Sequence, residues 1–209
     1  KNSVAAMLCG QVKQLEFFSK ARRYASPLEA SLDATEVPVG VYHALIEAVH
    51  QNLDKLHRYM RLRKKLLGVD ELHMYDLYTP LIETSQKRIP FDEAKKTVVQ
   101  ALGVMGERYG AILQEGFQNR WIDVYENTGK RSGAYSAFTL AHEMGHAIHS
   151  YLSNKTQPVV YADYVIFVAE VASTCNEALL MQHLLSTTSE KKERAYLINH
   201  FLAQLRTTL

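Results

Sequence analysis

The chain has 209 residues, of which 47% are hydrophobic and 22% charged. Those proportions belong to an ordinary globular protein and exclude a disordered or collagen-like chain. Its 24 Lys+Arg stand against 22 Asp+Glu, a formal net charge of +2. A balance this even excludes nucleic acid and anionic membrane as electrostatic partners.

The hydrophobic pattern is helical along most of the chain. It predicts a first helix over about Val4 to Ala25, closed by Ser26-Pro27. A long second one follows Pro38, which suits a first helical turn. It runs to Leu67, where Gly68 follows a basic last turn. The run Arg61-Leu62-Arg63-Lys64-Lys65 reads as its solvated end, because cations favour helix C-termini. Residues 70 to 81 read as irregular. Helices are then expected from Pro90, over Glu107 to Glu126, Ala137 to Ser153, Tyr164 to Leu185 and Ser189 to Thr208, with a turn at Asn127-Thr128-Gly129-Lys130 and a short extended piece over Ser132 to Ser136. The expected fold class is mainly α, with little or no sheet, in one domain.

Two cysteines, Cys9 and Cys175, are too few for a disulfide framework and fit a reducing compartment. Cys175 is expected to be a small buried residue of a helix. No apolar run approaches the roughly 18 residues of a membrane span, so no membrane association and a cytoplasmic location are expected. The N-terminus lacks both Met and a signal core, and Leu205 to Leu209 stops inside an apolar helical pattern. Both ends suggest a piece of a longer protein.

His142-Glu143-Met144-Gly145-His146 carries the chemistry. At about 100° per residue, two histidines four apart share one face of a helix and can reach one metal ion, with Glu143 beside the first. Leu140, Met144, Ala147, Ile148 and Tyr151 fall on one side of that helix, and His142, His146 and His149 on the other. One face can pack while the other ligates. Gly145 costs about 1 kcal/mol of helix stability relative to Ala, which suggests that something packs close to the backbone there.

A catalytic zinc usually takes three protein ligands and leaves a fourth position open. The next helix offers acids at Glu170 and Glu177, two turns apart on one face with Ser173 between them. Two acids on an apolar helix are costly to bury unpaired. One as ligand and one as hydrogen-bond acceptor for a ligand histidine would resolve that cost.

These residues resemble the M3 family of metallopeptidases, within it the bacterial oligoendopeptidase F group. The resemblance rests on His142 to His146, on Glu170-Val171-Ala172-Ser173 and on Glu177. It extends to Glu71 to Tyr78, Arg120 to Asn127 and Lys130 to Ser136, so it covers nearly the whole chain. It implies one Zn2+ per chain held by His142, His146 and Glu170, with Glu143 as general base. It further implies a helical zincin-type domain whose site lies in a channel, cutting short peptides internally. Glu177, Ser173 and His149 are then expected just behind the ligands. Residues 1–209 would be a catalytic-domain fragment, with 1–136 preceding the zinc helix and 137–209 carrying the zinc-binding helices.

The chain departs from the family pattern in two places. The segment expected between the Gly133-Ala134-Tyr135-Ser136 motif and the zinc helix is missing, and so is a downstream Tyr/His segment that stabilises the oxyanion. The substrate cleft is therefore expected to be incomplete. Two rival readings remain. Glu47-x-x-His50 with Glu143-x-x-His146 resembles half the ligand set of a di-iron bundle. The chain could also be a peptide-binding fragment without activity. The sequence does not settle the oligomeric state.

Overall fold

The structure, a computed structural model, describes residues 1–82, 89–125, 128–129 and 136–208. Helices dominate it, and the described residues contain no strand, as the periodicity predicts. Residues 132–135 of the expected extended piece, 127 and 130 of the expected turn, and the end of the Arg120 to Asn127 motif lie outside the described residues. None of the described helices is long and apolar enough to cross a membrane.

The chain divides into two compact units, Lys1–His57 and Arg58–Leu209. The first holds α1 (Asn2–Ala21), α2 (Pro27–Asp33) and most of α3 (Val39–Leu67). α1 stops four residues earlier than expected, and Arg23 leaves it with φ +66°. α2, not foreseen as a separate element, begins where Ser26 Oγ accepts the Glu29 amide and Pro27 occupies the first turn.

The second unit begins with the end of α3. There Gly68 adopts φ +68°, the left-handed conformation that stops a helix without strain. Arg63 is not solvated as expected. It is 2% exposed, and its Nη2 donates to the carbonyls of Asp76, inside a 3-10 turn at Met74–Tyr78, and of Thr79, which closes that turn. α4 (Phe91–Ala101), α5 (Glu107–Gln118), α6 (Ala137–Thr156), α7 (Ile166–Thr187) and α8 (Lys191–Thr208) complete the unit. α5 ends well before Glu126, because the chain reverses at Arg120, φ +58°, and the Trp121 amide donates back to the Gly116 carbonyl.

The core lies among α4, α5, α6 and α7. Val98, Leu102, Leu113, Met144 and Leu180 are fully buried in it. α6 contributes Leu140, Met144 and Ile148, the stripe its periodicity predicts, and turns its histidines away from the core. α7 packs on α6 through Ala169, Ser173, Asn176 and Leu180. Cys175 is exposed, against expectation, because it falls between those buried positions.

The two helix backbones nearly touch. A Cβ placed on Gly145 would lie 2.6 Å from Ser173 Cα and 2.8 Å from the Ala172 carbonyl oxygen. Helix propensity alone favours Ala at this position by about 1 kcal/mol, but contact with a main-chain atom cannot be relieved by side-chain rotation. Gly145→Ala is therefore expected to destabilise the chain by about 1–3 kcal/mol in urea unfolding. Gly110→Ala on α5, where a Cβ meets nothing within 4 Å, is expected to be neutral or mildly stabilising. Equal effects of the two substitutions would contradict the close approach.

Candidate metal centre

α6 starts at Ser136, whose Oγ accepts the Thr139 amide, so the helix is already regular when it reaches His142. After α6, the return segment is tied to it at two points. Ser153 Oγ donates to the Ala162 carbonyl at 2.6 Å, and the Ser150 and Tyr164 hydroxyls share a hydrogen bond of 2.7 Å. These ties fix where α7 begins. Gly145 then lets α7 lie close enough for a short carboxylate to reach the α6 histidines.

His142, His146 and Glu170 converge, as the spacing predicts. They form a group whose potential ligand atoms all lie within 4.8 Å of one another, and it is the one such group among the described residues. His142 Nε2 and His146 Nε2 are 3.1 Å apart, and Glu170 Oε2 is 3.5 Å from the first and 3.6 Å from the second. A tetrahedral site with bonds of about 2.0–2.1 Å has ligand–ligand edges of about 3.4 Å. The three separations match those edges, and two imidazoles with a carboxylate are a donor set suited to zinc. The residues present therefore fit a divalent cation.

The side chains behind the group are ordered by hydrogen bonds. Ser173, fully buried, has its Oγ 2.8 Å from Glu170 Oε2, the oxygen that faces the histidines. His142 Nδ1–H donates to Glu177 Oε1 at 2.8 Å, which leaves its Nε2 lone pair directed at the group. His149 lies one turn beyond His146 and stacks on Tyr164 with ring centroids 3.7 Å apart. Its Nδ1 is buried without a hydrogen-bond partner among the described residues, and burial, followed by the nearby His146, holds its pKa below the usual histidine value. Glu143 is exposed next to His142. The group itself is open on one side, with Glu170 51% and the two histidines about a quarter exposed.

Sequence reasoning missed Asn176 and its partner Tyr109. Asn176, 1% exposed, donates from Nδ2 to the Ala141 carbonyl at 3.0 Å and accepts the Tyr109 hydroxyl at Oδ1 at 2.8 Å. It binds α5, α6 and α7 at the residue preceding His142. Burial pushes the Tyr109 phenol pKa up. An amide on the buried face of an apolar helix is the signal that could have revealed it.

The model of Peptidase family M3 matches residues 1–138 and 136–209, together the entire chain. The chain belongs to that family. The two matched stretches meet at the start of α6, where the sequence departs from the family pattern. An oligopeptidase of Bacillus subtilis (strain 168), PepF, is 44% identical over 229 aligned residues, covering 100% of this chain and 34% of that protein. The chromosomal oligoendopeptidase F of Lactococcus lactis subsp. cremoris is 42% identical, covering 100% of this chain and 38% of its own length. Among solved structures, one from Chlamydophila abortus with a provisional peptidase name superposes with a TM-score of 0.89 at 35% identity, over 99% of this chain and 38% of that one. Oligoendopeptidase-F from Enterococcus faecium gives 0.73 at 39% identity, over 99% of this chain and 33% of that one. This M3-family chain thus spans little more than a third of the length of the relatives it matches.

The Asn176 bridge yields a stability test. Asn176→Leu takes from the Ala141 carbonyl its bond to α7 and from the Tyr109 hydroxyl its acceptor, and is expected to cost about 2–3 kcal/mol, against about 1 kcal/mol for Tyr109→Phe. Urea unfolding of both variants measures this. A neutral Asn176→Leu would remove the bridge from the account.

Proposed function

We propose that this chain carries the zinc centre of an M3-family endopeptidase that hydrolyses internal bonds of short peptides. The observation that carries the reading is the convergence of His142, His146 and Glu170 at tetrahedral spacing. The chemistry that zinc supplies in such a site is Lewis acidity, which polarises a scissile carbonyl and makes water nucleophilic near neutral pH.

The chain's own residues do the rest. His142, His146 and Glu170 hold the cation, and Ser173 and Glu177 orient two of those ligands. Glu143, adjacent to His142 and exposed to solvent, takes a proton on its carboxylate from the attacking water. The water oxygen bonds to the carbonyl carbon, the C–N bond breaks, and Glu143 returns the proton to the leaving amine.

The described residues present the metal group on an open face, so the channel that would restrict substrates to short peptides needs walls besides them. Donors for the developing oxyanion are also required, and one such donor is worth about 100–1,000-fold in rate. The relatives' greater length is consistent with both coming from polypeptide outside these residues. The scarcity of cysteine supports a reducing, cytoplasmic setting.

The 209-residue chain is therefore expected to bind about one zinc and to cleave a quenched peptide slowly. Full turnover by it would contradict the incomplete cleft. Glu143→Gln should retain zinc while lowering turnover at least about 100-fold, and undiminished turnover would remove Glu143 from the reaction. Glu170→Ala should weaken zinc binding in a chelator competition, and unaltered affinity would rule it out as a ligand.

A further inference from the structure

Glu177 is engaged through both carboxylate oxygens. Oε1 accepts from His142 Nδ1, and Oε2 accepts from the side-chain amide of Gln204, which comes from α8. We propose that Gln204 is a positioning residue of the metal centre, fixing the Glu177 carboxylate and, through it, the His142 ring. The proposal rests on the reading of His142 as a ligand.

A histidine ring has a broad χ2 preference, so packing alone need not choose which nitrogen faces the group. The bond from Nδ1 to Glu177 makes that choice and turns Nε2 toward His146 and Glu170. Glu177 could not fix the ring if it swung freely with it. The Gln204 amide supplies a second anchor from a different helix, so the carboxylate position no longer depends on His142.

Open space adjoins Gln204. The side chain is half-buried on the wall of a cavity of about 480 Å³, which His142, Glu177, His200 and Thr139 also line. Space is therefore available into which the amide could rotate. A carboxylate oxygen that is only 12% exposed as a side chain rewards a donor that reaches it. The rival reading is a plain tether between α7 and α8, with no consequence for the metal group.

A double-mutant cycle on zinc affinity separates the two. It is measured on the full chain by competition with a chromophoric chelator, alongside the thermal midpoint of the metal-free protein. Gln204→Met keeps the volume and removes the donor, and is expected to weaken zinc roughly tenfold, with only the small fall in midpoint that loss of one hydrogen bond brings. In a Glu177→Gln background the same substitution is expected to add no further loss. Should Gln204→Met fail to fold, Gln204→Ala, which only enlarges the adjoining cavity, carries the comparison. An unchanged affinity with a lowered midpoint establishes the tether and overturns the proposal, and so does an equal loss of affinity in both backgrounds. A parent chain that binds no zinc overturns the metal reading and this proposal with it.

Discussion

The contact between the α6 and α7 backbones at Gly145 and Ser173 is the constraint on which the site depends. Gly145 precedes His146, and Ser173 lies one helical turn after Glu170, so the place where the helices meet is also where the ligand candidates are. Helices commonly pack with axes 8–10 Å apart, the distance set by the side chains between them. With Gly145 on one side and the main chain of Ala172 and Ser173 on the other, little lies between these two. A glutamate has only two methylenes with which to cross such a gap, and here Glu170 approaches both imidazoles to within 3.6 Å.

Close backbones leave polar atoms in a dry place, and the second unit answers with buried hydrogen bonds rather than more hydrocarbon. Ser173 and Asn176 are among its most buried side chains, and each is engaged with a group beside the site. Such pairing matters more than its mean energy suggests, because a buried polar group left unpaired costs about 1–3 kcal/mol. The core of Leu113, Met144, Ile148 and Leu180 supplies the non-directional stability. The polar pairs set the rotation of α7 against α6, and so which face of α7 the histidines meet.

What the sequence reveals follows from where each signal resides. The two-sided α6 and the Gly145 close approach are local patterns on one helix, and both are present as expected. Glu170 stands out because an acid on an apolar helix needs a reason to be there. Tyr109 and Gln204 give no such signal, since each acts through a partner on another helix that only the folded chain brings near. Helix ends proved harder than helices. α1 and α5 close near Arg23 and Arg120, both at positive φ, where a glycine would have marked the stop. The burial of Arg63 was missed because its two shortest hydrogen bonds go to main-chain carbonyls, which no pattern of side chains can show.

The chain belongs to the M3 family, and its local geometry brings His142, His146 and Glu170 into one group. The central claim, that these residues form one tetrahedral site, is tested most directly by X-ray absorption at the zinc edge of the zinc-loaded chain. The account predicts the multiple-scattering signature of two imidazoles together with oxygen ligands, in a first shell at about 2.0–2.1 Å. A spectrum with oxygen neighbours alone, or with sulfur in the first shell, would contradict it.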